Sequence, residues 1–117
     1  MRKSIGGAAS LVLNTQFKKL YNKGSSQVLP SVVVYAKANG LSHNRLGITV
    51  SKKIGKAVVR NRAKRRLREV YRINSANIRH GFDFVLVARG RTADCPYDKL
   101  LSDFIKAVKN LGVYKDE

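Results

Sequence analysis

The stretch KKIGKAVVRNRAKRRLREVYR, Lys52 to Arg72, constrains this chain more than any other. It carries ten Lys or Arg residues and a single acid, Glu69, with an apolar thread running through them. Laid on a helix from Ala57 to Ile73, Val59, Ala63, Leu67, Val70 and Tyr71 share one side. Asn61, Arg62, Arg65, Arg68 and Arg72 share the other. Lys64 and Arg66 flank that stripe, and Arg60 lies near the helix start. The apolar side needs a sheet or another helix to receive it, so the segment belongs to a folded domain. A solvated helix interleaves acids with its bases for mutual support. This one does not, and like charges at such density repel unless a polyanion neutralises them.

The preceding loop, Ser51 to Lys56, adds to the same field. Gly55 permits a tight turn. Lys52, Lys53 and Lys56 then converge with the helix N-terminus on one space, an arrangement suited to phosphate. The spacing is not that of a nucleotide-binding GxxxxGK[ST] loop.

The rest of the chain supports this reading. Its 117 residues suit one domain, and 44% hydrophobic residues can fill a core. The formal charge is +17, from 24 Lys and Arg against 7 Asp and Glu. No acid precedes Glu69, and 16 of the 24 basic residues lie in that acid-free part. Nucleic acid, an anionic membrane surface or an acidic protein could balance such a field. A membrane-surface helix needs a broad apolar face for lipid, and here those residues are needed for the core. Nucleic acid, and not a membrane, is the expected partner. The single cysteine, Cys95, excludes an internal disulfide and a cysteine-based zinc site. No apolar run is long enough to span a bilayer. Residues 1–13 read as an N-terminal arm, and 14–117 as one domain in a cytoplasmic protein.

Element signals order the domain. Asn14 and Thr15 can cap a short helix to Lys23, with Phe17, Leu20 and Tyr21 on one face. Ser25 and Ser26 read as a loop. A strand is expected from about Val28 to Ala38, with Pro30 marking an edge or a bulge. Asn39-Gly40 then suggests an antiparallel hairpin into Arg45 to Ser51. The arginine helix follows, then a strand from Phe82 to Arg89. A last helix runs from Pro96 to about Asn110, with Gly112 beyond its end. The fold class is therefore α+β. A three- to four-stranded sheet carries helices on one face, in the order α-β-β-α-β-α.

An autonomous nuclease would need convergent carboxylates or histidines. His43 and His80 fall in separate loops. Asp83, Asp94, Asp98 and Asp103 are scattered, and Asp94 and Asp98, flanking a helix start, read as its caps. No catalytic residue is assigned. A structural RNA binder, such as a ribosomal protein, remains open on composition.

The run from Val50 to Glu69, with Arg60-Asn61-Arg62 at its centre, resembles the signature of the bacterial ribonuclease P protein family. Phe17 to Gly24 looks like that family's aromatic first helix. Val33-Val34-Tyr35 and Phe82 to Val85 look like two of its strands. The resemblance implies an accessory subunit of an endoribonuclease whose RNA does the catalysis. That holoenzyme removes the 5′ leader from precursor tRNA. Magnesium would serve the RNA, with no cofactor held firmly by the protein and no DNA partner. Lys52, Lys53, Lys56, Arg60, Asn61, Arg62, Lys64, Arg65, Arg68 and Arg72 would face ribonuclease P RNA. Phe17, Tyr21 and Tyr35 would lie against leader nucleotides, where aromatic stacking holds single-stranded RNA without demanding a sequence. On periodicity alone, Phe17, Leu20 and Tyr21 suit a core face better than a base platform. The resemblance also implies a left-handed β-α-β crossover, as in the second domain of a small-subunit ribosomal protein.

Overall fold

The computed structural model describes residues 4–5, 8–10 and 24–115. Six strands form one sheet in the order β1-β2-β5-β6-β4-β3. They are β1 (Ser4–Ile5), β2 (Ala8–Ser10), β3 (Ser25–Leu29), β4 (Val32–Ala38), β5 (Arg45–Thr49) and β6 (Phe82–Ala88). Helix α1 (Ala57–Asn74) joins β5 to β6, and α2 (Tyr97–Asn110) follows β6. The first expected helix, with Phe17 and Tyr21, lies outside the described residues.

Strand β6 lies inside the sheet and is its most deeply buried strand among the described residues. Phe84, Val85 and Leu86 are fully buried. It pairs in parallel with β5 and antiparallel with β4. Parallel neighbours require a crossover, and α1 supplies it. The apolar side of α1, with Ala63, Leu67, Val70 and Tyr71 buried, meets Phe84, Leu86 and Leu46 in one cluster with Leu100, Phe104 and Val108 of α2. The Tyr71 ring stands 5.8 Å from Phe84 and 6.4 Å edge-on to Phe104, which locks helix to helix and helix to sheet.

Two expectations are corrected. The strand placed from Val28 to Ala38 is two strands, and Ser25 and Ser26 belong to the first of them, not to a loop. Leu29 pairs with Val32, so Pro30 and Ser31 make a two-residue turn. Pro30 marks a reversal here because α2 seizes the turn. Asp103 accepts hydrogen bonds from the Ser31 amide (3.1 Å) and hydroxyl (2.7 Å). The expected hairpin between β4 and β5 does not form either, because β6 is inserted between them. The chain from β4 to β5 passes over the entry to β6. Buried Asn44 fastens that crossing. Its side chain donates to the Tyr71 hydroxyl (3.1 Å) and the Arg79 carbonyl (3.0 Å) and accepts from the Phe82 amide (2.9 Å). Gly81 sits in the crossing at φ +93°, where an added Cβ would lie 3.1 Å from the Leu41 carbonyl oxygen. The short strands β1 and β2 lie within the expected N-terminal arm, and β2 extends the sheet by pairing in parallel with β5.

Asp103 is the most consequential buried acid. Burial would raise its pKa, but the Ser31 hydroxyl, Lys99 and the Ser31 amide outweigh that and hold it below the usual carboxylate range. A depressed folded pKa stabilises the fold above the ordinary carboxylate range and loses that contribution as pH falls through the folded value. Asp103→Asn should therefore cost roughly 1.5–3 kcal/mol at pH 7, as for a hydrogen bond to a charged group. The acid limb of a Tm-against-pH curve should flatten as well, and thermal melts across the acid range check both effects.

Candidate RNA interface

The site begins in the turn before α1. Lys52–Ile54 form a single turn of 3-10 helix. Gly55 follows at φ +146°, with a would-be Cβ 3.3 Å from the Val59 side chain, so glycine lets the turn close on the helix. Helix α1 starts after Lys56 with no side-chain cap and no acid in its first turn. Its N-terminal amides are thus left to solvent or an anion. Lys52, Lys53 and Lys56 are exposed around them.

Along α1 the expected stripe is present. Asn61, Arg62, Arg65, Arg68 and Arg72 are exposed, opposite the buried side. The cations are not equivalent. Arg60 is half-buried and donates to the Gly55 carbonyl (3.1 Å), bracing the turn. Lys64 is half-buried. Arg62 pairs loosely with Asp94 at 3.6 Å. Arg72 is held in a two-pronged pair by Glu69 at 3.1 and 2.6 Å. That hydrogen bonding lowers the Glu69 pKa and raises that of Arg72. Arg65 and Arg68, at the centre, have no hydrogen-bond or ion-pair partner among the described residues. Asp94 and Asp98, expected to cap α2, do not: Pro96 holds the cap position with no side-chain cap, Asp94 faces Arg62, and Asp98 lies in the first turn of the helix.

Arg66 does something the sequence did not signal. Its guanidinium donates to the carbonyls of Thr92 (3.2 Å) and Cys95 (2.6 Å), clasping the link between β6 and α2. The Thr92 hydroxyl donates to the Ser31 carbonyl (2.6 Å) and accepts from the Arg89 amide (2.8 Å). The arginine helix is thereby joined to the β3–β4 turn and, through Ser31, to α2. Helical periodicity placed Arg66 beside the stripe, but its acceptors are backbone carbonyls 26 and 29 residues away.

The second candidate region is the sheet face that α1 and α2 leave uncovered. In β4, Val34 is buried toward the helices while half-buried Tyr35 faces the other way, packed with Val85 and Val87. The next row on this face is Lys37, Asp83 and Arg45. The Arg45 guanidinium donates to both carboxylate oxygens of Asp83 at 2.7 Å, and Asn39 adds a third bond at 2.9 Å. That hydrogen bonding with Asp83 raises the Arg45 pKa. His43 and His80 are exposed in separate loops. Among the described residues, no three or more His, Cys, Asp or Glu side chains converge, and no helix is long and apolar enough to cross a membrane.

Residues 7–112 match the family model described as ribonuclease P. The chain belongs to the ribonuclease P protein family. It is 42% identical over 102 residues to the ribonuclease P protein component of Caldanaerobacter subterraneus subsp. tengcongensis, covering 87% of this chain and 88% of that protein. It is 41% identical over 100 residues to that of Natranaerobius thermophilus, covering 86% and 87%. Among solved structures, the Staphylococcus aureus RNase P protein superimposes with a TM-score of 0.80 at 33% identity, covering 91% of this chain and 97% of that one. The Thermotoga maritima protein superimposes at 0.77 and 31% identity, covering 86% and 96%. The α+β fold of this ribonuclease P family member is thus shared with two experimentally determined relatives.

Arg66 and Arg65 should separate by assay. Arg66→Ala strips the donor from two carbonyls and should cost about 1–3 kcal/mol. Arg65→Ala should leave Tm unchanged. Parallel thermal melts of the two variants measure the difference.

Proposed function

We propose that this chain binds the catalytic RNA of ribonuclease P through the exposed face of α1 and its preceding turn, and holds the precursor tRNA leader along the sheet face opposite α1 and α2. Family membership places the chain in tRNA 5′ maturation. The observation that carries the finer reading is the centre of α1. Arg65 and Arg68 stand exposed on a helix that is fixed by its opposite side, and neither is paired to a carboxylate among the described residues, Glu69 being held by Arg72. A planar guanidinium donates two parallel bonds to phosphate, and a docked helix presents several at fixed spacing. Lys52, Lys53 and Lys56 at the uncapped N-terminus extend the surface to further phosphates.

On this reading the protein's work is positional. It neutralises backbone charge, so the RNA reaches its active fold at lower magnesium, and the RNA supplies the metal ions of cleavage. Tyr35 offers its ring to a splayed leader base. Phe17 and Tyr21 are assigned the same role on the sequence resemblance alone. The setting is the cytoplasm, where precursor tRNA is processed.

The deciding experiment is cleavage of a precursor tRNA at low magnesium by this protein with a bacterial ribonuclease P RNA, each also tested alone. Cleavage only by the pair is expected; cleavage by the protein alone would overturn the accessory role. Arg65→Ala with Arg68→Ala should weaken RNA binding and lower the log-affinity against log-salt slope by about 0.7–0.9 per lost phosphate contact. Titrations at several salt concentrations check this. Tyr35→Ala should weaken binding of leader-bearing precursor by about 1–3 kcal/mol, the range for one base–aromatic stack. Mature tRNA should bind as before. Equal loss for both substrates would make Tyr35 a packing residue.

A further inference from the structure

We propose that Glu69 is an internal competitor for Arg72 that discriminates among RNAs, and that the buried Tyr97 hydroxyl takes up its carboxylate when phosphate claims the arginine. This rests on the reading of α1 as the RNA-binding face.

The geometry supplies both ends of the exchange. Glu69 and Arg72 are one turn apart on α1 and meet through two hydrogen bonds, at 3.1 and 2.6 Å. Both are about half exposed, so the pair is open to an incoming anion. An exposed pair of this kind is weak and can be displaced. A backbone phosphate offers the guanidinium the same two-pronged partner, within the field of a polyanion. While the pair holds, a phosphate near Arg72 meets a carboxylate as well as a cation. The C-terminal end of the stripe is therefore less attractive to an arbitrary polyanion than the centre. Only an RNA that places a phosphate directly on Arg72 recovers its full charge. A repulsive element that the correct partner alone removes is a common basis of specificity.

Displacement leaves Glu69 without its cation, and Tyr97 offers a remedy. Tyr97 opens α2, and its ring packs against the main core. Its hydroxyl is buried and has no hydrogen-bond partner among the described residues. Buried polar groups are rarely left so, because an unmade bond costs the full desolvation of the group. Geometry brings α1 to it: the Arg66 guanidinium donates to the Cys95 carbonyl two residues before Tyr97, Glu69 lies one helical turn beyond Arg66, and the charges of Glu69, Arg72 and Arg66 all act on the phenol. Arg66 is already engaged with two carbonyls, and both cations lack an acceptor. Glu69 is the one member of the group that can accept a phenolic proton in a hydrogen bond. Burial also pushes the Tyr97 phenol upward, keeping it a donor at neutral pH. The orphaned hydroxyl of the free protein thus becomes the second partner of Glu69 in the bound one.

The test measures binding of the full chain to a bacterial ribonuclease P RNA and to an unrelated RNA duplex of similar length, across salt. Glu69→Gln should tighten duplex binding roughly twofold to fivefold, the scale of an exposed pair. It should also steepen the salt slope by about 0.7–0.9, one more arginine engaged. The gain for ribonuclease P RNA should be smaller. Tyr97→Phe should weaken binding of ribonuclease P RNA by a similar factor in the parent and have no effect in the Glu69→Gln background. A helix-stabilising pair and nothing more would leave the slope unchanged in Glu69→Gln, and that result overturns the proposal. Equal losses from Tyr97→Phe in both backgrounds overturn it too. The Arg65→Ala, Arg68→Ala variant separates the two levels. If it binds like the parent, the α1 surface reading fails and the competitor falls with it. If it binds weakly while Glu69→Gln is silent, only the competitor fails.

Discussion

A helix bearing Arg62, Arg65, Arg68 and Arg72 on one side repels itself along its own length. It stays a helix because the opposite side has no alternative to burial. Ala63, Leu67 and Val70 are fully removed from water, and Tyr71 almost so. Each large apolar side chain so buried contributes about 1.5–3 kcal/mol. Repulsion between exposed charges is screened over about 8–10 Å at physiological salt. The apolar seam therefore dominates, and the charges are carried on a surface they could not build themselves. The uncapped N-terminus follows the same logic. A carboxylate in the first turn would stabilise the helix by a few tenths of a kcal/mol, but it would sit among the lysines that precede Ala57.

Where the acids sit sharpens the picture. Among the described residues, Asp83 binds Arg45, Asp94 meets Arg62, Asp103 holds Ser31 and Lys99, and Glu69 holds Arg72. Asp83 and Asp103 are buried and tie elements together; Asp94 and Glu69 lie at the two flanks of the arginine stripe. Its centre is left without a counter-charge. Charge on this protein is thus patterned at the scale of single helix turns, which a net figure of +17 conceals.

Much of this was legible in the sequence where periodicity and burial speak for the same residues. The helix expected from Ala57 to Ile73 runs Ala57–Asn74, and the last helix runs Tyr97–Asn110. The buried and exposed sides of α1 follow directly from spacing. Strand neighbours were not legible, because period-2 alternation says which face a residue takes but not which strand lies beside it. Asn39-Gly40 carries a hairpin signal, yet β6 enters between β4 and β5 because its Phe84, Val85 and Leu86 need cover on both faces. Pro30 was ambiguous for a similar reason. Edge, bulge and turn all tolerate a residue without an amide hydrogen, and only Asp103, 72 residues from Ser31, decides for the turn. In the candidate site, the stripe itself was readable, but the division of labour within it was not. Arg66 and Arg65 are adjacent and chemically identical; their roles diverge because the 92–95 loop comes within reach of one of them.

That loop connects the two candidate surfaces. Arg66 holds Thr92 and Cys95, Thr92 holds Ser31 through its hydroxyl, and Ser31 immediately precedes β4, the strand that carries Tyr35. Each link is a hydrogen bond to a main-chain group, so each constrains the backbone and not merely a rotamer. The strand pairing of β4 with β6 along its whole length adds a second rigid connection. A shift of α1 against the sheet would have to break the Arg66 clasp or drag the β3–β4 turn with it. The arginine face and the aromatic face are therefore held in one fixed relation. If α1 holds one RNA and the Tyr35 face another, as proposed above, this rigidity fixes the register between them.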